Sequence, residues 1–301
     1  MDESNADAYG RSVAVAPGLR SVLARNPSAM TWRGTVSYLI GAGDVALIDP
    51  GPDDPAHLAA LLAALAPGER ITTIFVTHAH RDHSGLAPAL ARATGAPVLA
   101  FGNATAGRSA LMEDLARRDP SLRGEGVDHG FRPDITLADG ERVAGDGWDI
   151  TAIHTPGHFG NHLCFQAGDW LFCGDHVMGW SSSVIAPPDG DMGAYMTSLD
   201  RLAATGAARL FPAHGAPIED PASRIAELIR HRQMRAAAVA EGLRAAPATA
   251  SELALQIYRD TPAGLLPAAA LNVFAHLIDM VDRNQARPMG KIAFTTPFRL
   301  Y

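Results

Sequence analysis

Short apolar runs rich in Val, Ile, Leu and Phe recur along the first 215 residues, and most of them end at Gly, Pro or Asp. Runs of this length between turn residues predict buried strands, and the Ala- and Leu-rich segments of helical period between them predict helices. The resulting alternation is typical of the α/β class. Strands are predicted at 35–40, 44–49, the start of 71–85, 97–101, within 135–153, 162–166, 170–173 and 208–211. Helices are predicted at 57–66, 86–94, 109–118 and 192–204, and residues 1–30 are predicted to be irregular.

Composition and charge narrow the class of protein. The 301 residues suit one large domain or a large domain with a small appendage. A net charge of −7 excludes a basic field over the whole protein, although it leaves room for a local basic patch. The acidic start at 1–4 does not resemble a signal peptide, and no run is expected to reach the length of a membrane span. We expect a cytoplasmic protein in which Cys164 and Cys173 are small core hydrophobes rather than a disulfide or metal ligands.

The segment 71–85 places four candidate metal ligands on a strand-to-helix turn, where α/β folds often carry their chemistry. In extended backbone, His78 and His80 point the same way, while Asp82 and His83 can turn towards a second point. Four ligands that face two ways suit two metal ions about 3.5–4 Å apart, the spacing of binuclear hydrolases. The alternative is a solvated histidine-rich loop.

Further ligands are predicted at strand ends downstream. The Pro156-Gly157 turn aims His158 away from the sheet, where it completes a three-histidine set of the kind that zinc favours. Asp175 follows a glycine at a strand tip and can bridge two cations, and His214 ends a later strand. The predicted ligands are His78, His80 and His158 for one metal and Asp82, His83 and His214 for the other, with Asp175 between them.

Several features of the sequence allow two interpretations. Asp49 either forms a turn with its own backbone or steadies the metal loop through a hydrogen bond. His154 and His162 are expected to be hydrogen-bonded structural or pocket-lining histidines rather than ligands. The polar insertion at 102–135 either covers the mouth of the site or is a surface excursion.

These motifs resemble those of the metallo-β-lactamase superfamily over about residues 35–215. The matching motifs, in order, are Asp49, the string at 78–83, Thr155-Pro156-Gly157-His158, Gly174-Asp175 and His214-Gly215. The resemblance implies an αββα sandwich with the site at one edge between the two sheets. Because Asp175 occupies a bridging place that the true β-lactamases lack, the chain is similar to the hydroxyacylglutathione hydrolases, lactonases, phosphodiesterases and RNA-processing members. Penicillin hydrolysis is therefore a poor expectation.

The tail predicts a second, smaller domain. Asp220-Pro221 begins a helix that is predicted to run to Arg244. A capping box at 249–252 opens a second helix, residues 267–285 form a third, and 290–294 is strand-like. This outline of a winged helix divides the chain into a catalytic domain at 1–219 and a helical linker with a winged-helix-like domain at 220–301. The arrangement resembles the β-lactamase-like endoribonuclease of animal mitochondria and its bacterial relatives.

The ligand set and the resemblance together imply a hydrolase with two Zn²⁺ ions, with Mn²⁺ or Fe²⁺ as alternatives. A hydroxide that bridges the metals is the expected nucleophile. Asp82 would orient it, and His176 or His162 would assist the leaving group. A thioester, lactone or other small-molecule acyl bond is the first expected substrate, because the acidic chain offers no obvious track for a polyanion.

Other functions stay open. RNA phosphodiester cleavage ranks second and is motivated by the tail and by Lys291, Arg283 and Arg287. An iron-dependent redox enzyme ranks third, because 220–301 is too short for the flavin domain of flavodiiron members. Persulfide dioxygenases, for their part, use fewer ligands than the seven present here. The tail could also serve as a dimerisation module, so a homodimer is allowed, and no membrane partner is expected.

Overall fold

The computed structural model describes residues 8–122, 124 and 126–301. The acidic start and two positions of the 102–135 insertion therefore lie outside the described residues. Within the described part, two β-sheets pack face to face between helices, and three further helices with a short strand pair follow.

The first sheet has seven strands in chain order. They are β1 (Ser12–Ala16), β2 (Leu19–Leu23), β3 (Val36–Ile40), β4 (Asp44–Ile48), β5 (Arg70–Phe75), β6 (Val98–Ala100) and β7 (Ile135–Thr136). Strands β1 to β4 pair antiparallel and β4 to β7 pair parallel.

The prediction that residues 1–30 are irregular was wrong for β1 and β2. A Pro-Gly turn joins these strands, and Gly18 there adopts φ 73°. Leu19 and Val22 are fully buried in the sheet, so tertiary packing organises a segment whose own pattern is weak.

The second sheet has five strands in the order β12-β11-β10-β9-β8. They are β8 (Arg142–Gly145), β9 (Trp148–His154), β10 (Leu163–Ala167), β11 (Trp170–Gly174) and β12 (Arg209–Pro212), with β11 and β12 parallel and the rest antiparallel. Aromatic side chains from both sheets fill the space between them. The Tyr38 ring, for example, meets Phe172 and Phe211 edge to face at 5.1 and 5.7 Å.

Helices cover the outer face of each sheet. Against the first sheet lie α1 (Pro55–Ala63) and α3 (Ala87–Thr94), with the short α2 (Arg81–Ser84) just before α3. Helix α4 (Ala110–Arg118), in the insertion, instead packs Met112 and Leu115 against the C-terminal part of the chain. Against the second lie α5 (Met192–Ala203) and the long α6 (Pro221–Ala245). These layers confirm the αββα sandwich. Helix α3 ends at Gly95, which adopts the left-handed conformation with φ 75°.

The C-terminal part is built from the end of α6, α7 (Ala250–Ile257), α8 (Leu266–Asp282) and the antiparallel pair β13 (Ala286–Pro288) and β14 (Phe298–Leu300). The capping box that opens α7 is confirmed in both of its hydrogen bonds. The strand predicted at 290–294 was wrong, because those residues form the loop between β13 and β14. Phe294 folds back from that loop to meet Phe274 edge to face at 5.6 Å.

The expectation that no run reaches the length of a membrane span was also wrong. Ala263–Asp282 is long and apolar enough by length and composition, and 56% of its apolar 18-residue window is buried within the protein. Its apolar residues include Val273, Phe274 and Leu277 in the C-terminal core, so packing within the fold accounts for its composition.

Candidate metal centre

Three histidine nitrogens converge just beyond the end of β5. His78 Nε2 lies 2.8 Å from His80 Nδ1, and His158 Nε2 lies 3.2 Å from the same atom. His78 and His80 share one side of the extended segment, as the alternation of side chains predicts. His158 comes from the turn after β9, which is possible because Gly157 has φ 151° and packs against the Tyr195 backbone with no room for a side chain. The structure therefore brings together the three residues predicted for one metal.

Asp82 and His83, on α2, form a second group with His214, which follows β12. Asp82 Oδ2 lies 3.4 Å from His83 Nε2 and 3.3 Å from His214 Nε2. Among the described residues, the donor atoms of this group, and those of the three histidines together with Asp175, lie close enough to hold a metal ion.

Asp175 lies between the two groups. Its Oδ2 is 3.7 Å from His158 Nε2 and 3.6 Å from His83 Nε2, and its Oδ1 is 3.3 Å from His214 Nε2. A carboxylate so placed can contact a cation in either group, which is the bridging position predicted for it.

The outer nitrogen of four of the five imidazoles is engaged by a neighbouring group. His83 Nδ1 donates to Asp49 Oδ2 at 2.9 Å, and the Thr77 hydroxyl, which donates to the same oxygen at 2.9 Å, accepts from His78 Nδ1 at 3.0 Å. His158 Nδ1 donates to the Val184 carbonyl at 2.7 Å and His214 Nδ1 to the Gly34 carbonyl at 3.1 Å. Each contact engages Nδ1, so Nε2 is the nitrogen that faces the centre and can ligate a metal. Asp49 thus forms a hydrogen bond to the outer nitrogen of a candidate ligand, which was one of its two interpretations. Its backbone also has a positive φ of 52°.

Burial and charge divide the histidines into two kinds. Burial, reinforced by neighbouring imidazoles, lowers the pKa of His80 to about 3 and holds the pKa values of His78 and His158 below their usual range. Burial also acts to lower the pKa of His214, but the Asp175 and Asp82 carboxylates outweigh it and raise that pKa to about 10. One group is therefore a neutral nitrogen cradle, and the other is a site whose carboxylates attract positive charge.

The residues present fit a pair of divalent cations. His83 Nε2 and Asp175 Oδ1 are buried and have no hydrogen-bond partner among the described residues. The Nε2 atoms of His78 and His158 both face His80 Nδ1. One N–H on His80 can donate to only one of them, whereas a cation at the shared point can bind all three nitrogens. Zinc accepts imidazole and carboxylate ligands of the kind that these five histidines and two aspartates supply.

The other candidate histidines lie behind the centre. His162, fully buried, contacts the Thr155 hydroxyl through Nδ1 at 2.8 Å, and its Nε2 accepts the Asp175 N–H at 3.3 Å. His176 is also fully buried, and burial lowers its pKa to about 3. Neither is among the described residues that line the cavity at the metal centre, so no contact supports the leaving-group role, which stays a prediction. His154 stacks on Phe101 and meets the Gly160 carbonyl, as expected of a structural histidine.

A cavity of about 1040 Å³ opens from the metal centre. Its lining includes His80, Asp82, His158, Asp175 and His214 of the metal centre. We call the large apolar lining residues from the C-terminal part of the chain the C-terminal wall. It is apolar and is formed by Leu255, Leu266, Pro267, Leu271 and Phe294.

The 102–135 insertion contributes to the rim. Leu122, Gly124 and Gly126 line the cavity, and the Gly124 N–H donates to Asp189, which also forms a buried ion pair with Arg108. Sequence reasoning missed Val184, Asp189 and the C-terminal wall. The first acts through its backbone carbonyl and the others depend on contacts between distant segments, so the local pattern carried no signal for them.

Comparison with known proteins agrees with this geometry. The model of the metallo-beta-lactamase superfamily matches residues 30–214, and that of the beta-lactamase associated winged helix domain matches 249–291. The beta-lactamase-like protein 2 homolog of Drosophila melanogaster is 31% identical over 88% of each chain. A metallo-beta-lactamase family protein from Thermus thermophilus has a structure with TM-score 0.77 and 26% identity, covering 96% of this chain and all of that one.

Two relatives from Aspergillus fumigatus are longer than the matched region. The lactamase-like protein nscB is 37% identical over 71% of this chain and 58% of its own length. The atrochrysone carboxyl ACP thioesterase is 29% identical over 73% of this chain and 63% of its own length. The chain therefore belongs to the metallo-β-lactamase superfamily, a family of hydrolytic enzymes that bind divalent metals in a binuclear site, and it carries the winged helix domain associated with that family.

Proposed function

We propose that the protein is a binuclear zinc hydrolase that cleaves an acyl bond of the thioester or lactone type in a small molecule with a sizeable apolar acyl part. The observation that carries the proposal is the cavity that joins the metal centre to the C-terminal wall. A scissile carbonyl at the metal end leaves its apolar substituent against Leu255, Leu266 and Leu271, where burial of each CH₂ group is worth about 0.8 kcal/mol.

Two divalent cations, when bound, would supply a water of lowered pKa and would polarise the substrate carbonyl. The chain's own groups prepare for this chemistry. Asp82 lines the cavity, and its Oδ2 is held by the Thr35 hydroxyl at 3.2 Å. From there the carboxylate can accept a hydrogen bond from an attacking water and orient it. An apolar substituent packed against the C-terminal wall would displace water from beside the carbonyl, which would strengthen the electrostatic interactions there.

The name of one relative supports an acyl substrate. The Aspergillus fumigatus atrochrysone carboxyl ACP thioesterase is named for cleavage of a thioester. Because the match spans 63% of that protein, its name supports the bond type and not the particular substrate.

The basic residues that motivated RNA cleavage do not line the cavity at the metal centre. Arg283 pairs with Asp279 at 2.9 Å, Arg287 lies over the Tyr301 ring, and Lys291 lines a separate shallow hollow beside Asp114. Among the described residues that line the cavity, none is Lys or Arg. A phosphate backbone needs such groups for affinity.

The proposal also covers the compartment, the metal and the partners. We infer a reducing compartment such as the cytoplasm, since both cysteines are free and buried, and burial raises the pKa of Cys164 to about 12. Zinc as the metal, a small-molecule partner and a homodimer stay predictions.

The experiment is an activity panel on the zinc-loaded protein with short and long acyl thioesters, acyl lactones and a single-stranded RNA. We expect turnover of long-chain acyl substrates that is lost in Asp82→Ala. Asp44→Ala serves as the matched control and should keep activity. Asp44 is the first residue of β4, at the opposite end of that strand from Asp49. Clean RNA cleavage that Asp82→Ala abolishes, with no acyl turnover, would overturn the proposal.

A further inference from the structure

One planar peptide group connects His158 to the C-terminal helices. The Val184 carbonyl accepts the hydrogen bond from His158 Nδ1 at 2.7 Å. The N–H of Ile185, on the opposite edge of the same peptide group, donates to Asn272 Oδ1 of α8 at 3.0 Å. Because a trans peptide is rigid, the bond that holds its N–H also sets the direction of its C=O.

The Asn272 amide is itself fixed in orientation. Its Nδ2 donates to the Ala268 carbonyl at 3.0 Å, which leaves Oδ1 turned towards the loop. Arg232 of α6 donates to that same Oδ1 through Nη1 at 3.2 Å, and its Nη2 donates to the Ser183 carbonyl. Consecutive backbone groups of the loop are therefore held from the C-terminal side.

Arg232 is an unusual residue for this position. It is 2% exposed, its guanidinium lies 5.1 Å from the centre of the Tyr195 ring, and it forms no ion pair with a carboxylate of the described residues. A buried guanidinium without a counter-ion is costly, so hydrogen bonds and the aromatic face must compensate for its desolvation. Such a group contributes little to stability by itself, which favours a role in geometry.

We propose that Arg232 and Asn272 are positioning residues for the metal centre. They hold the Val184–Ile185 peptide so that His158 keeps its proton on Nδ1 and directs the Nε2 lone pair to the place shared with His78 and His80. Both lie beyond residues 30–214, so the C-terminal part of the chain sets the geometry of a ligand in the catalytic fold. This inference rests on the metal centre of the proposed function.

The test measures metal affinity rather than activity. Wild-type protein, Asn272→Leu and Asn272→Asp are stripped of metal and titrated with Co²⁺ and with Zn²⁺ against a chelator, and the visible Co²⁺ spectrum is recorded. Asn272→Leu removes the acceptor at similar size, and we expect one of the two metals to bind about 10–100-fold more weakly, with an altered spectrum. Asn272→Asp keeps an acceptor for Ile185 and Arg232 and should restore affinity to within a few-fold of wild type.

A matched control separates positioning from a general loss of stability. Val239→Ala creates a small cavity in the same C-terminal core, at a buried position of α6 that does not line the metal cavity, and should leave both affinities unchanged. Should Asn272→Leu not fold, Arg232→Lys retains a cation that cannot reach both the Ser183 carbonyl and Asn272, and it should show a smaller loss at the same metal.

The outcomes are distinct. Wild-type affinity at both metals in each folded variant, or an equal loss in Val239→Ala, would overturn the positioning role while leaving the hydrolase proposal intact. A wild-type protein that binds no metal would instead remove the proposed function.

Discussion

Replacing Asp49 with Asn tests a carboxylate that faces the outer side of a candidate ligand. Asp49 is 2% exposed and accepts three hydrogen bonds. They come from the Thr77 N–H at 2.8 Å, the Thr77 hydroxyl at 2.9 Å and His83 Nδ1 at 2.9 Å.

The amide keeps one acceptor oxygen and places an NH₂ group where two donors arrive. Losing two charge-assisted hydrogen bonds of roughly 1.5–3 kcal/mol each should lower the free energy of unfolding by about 3–6 kcal/mol. His83 can recover a partner only by moving its proton from Nδ1 to Nε2, the atom that faces Asp82 and Asp175. A protonated Nε2 cannot ligate a metal, so the affinity of the second metal should fall about 10–100-fold.

Urea unfolding of the metal-free protein gives the stability term, and chelator competition with Zn²⁺ gives the affinity. Asp54→Asn is the matched control. Asp54 caps α1 by accepting the Ala56 N–H at 2.8 Å, and Asn caps comparably, so neither quantity should change measurably. An Asp49→Asn protein that holds two metals with wild-type affinity would refute the reasoning about the His83 proton.

Three further predictions concern the cavity, the pH dependence of stability and the His158 turn. Leu255 of the C-terminal wall is 60% exposed, and Leu255→Asp should remove about 1–2 kcal/mol of apolar contact with a long acyl chain. We expect kcat/KM to fall about 5–30-fold for long acyl substrates and to stay unchanged for short ones. The control Leu62→Asp, on α1, should change neither value. Burial lowers the pKa of His57 to about 4 from its usual 6.5, so the unfolded chain binds a proton that the folded one refuses, and stability should fall by up to about 3 kcal/mol as the pH falls from 6.5 to 4. His57→Gln should remove that part of the fall in urea unfolding at stepped pH, and an identical pH profile would contradict the assignment. Gly157→Ala would place Cβ 2.4 Å from the Tyr195 backbone and should cost about 2–3 kcal/mol with loss of metal, whereas Gly168→Ala, with open space around it, should cost only about 1 kcal/mol and keep the metal.

Much of the fold could be predicted because its signals are local. The strand-turn-helix around 71–94 and the capping box before α7 depend on neighbouring residues, and both are confirmed. The candidate ligands could be named because each lies at a strand end or in the turn or short helix that follows one, and neighbouring strands bring such positions together. The structure then places the two groups side by side, with the ring centres of His78 and His83 4.1 Å apart.

What could not be predicted depends on contacts between distant segments. Strands β1 and β2 are organised by burial of Leu19 and Val22, and the loop at 290–294 is turned aside by packing of Phe294. The Val184 carbonyl contacts His158 through its backbone, which no side-chain pattern reports. The C-terminal wall is formed by α7, α8 and the β13–β14 loop, about 40 to 80 positions beyond the last ligand on the chain.

Anomalous diffraction from crystals of the zinc-loaded protein tests the metal centre most directly. Two ions held by seven side chains predict two peaks about 3.5–4 Å apart, one beside His78, His80 and His158 and the other beside Asp82, His83 and His214, with Asp175 between them. A single peak, or none at these residues, would contradict the binuclear centre.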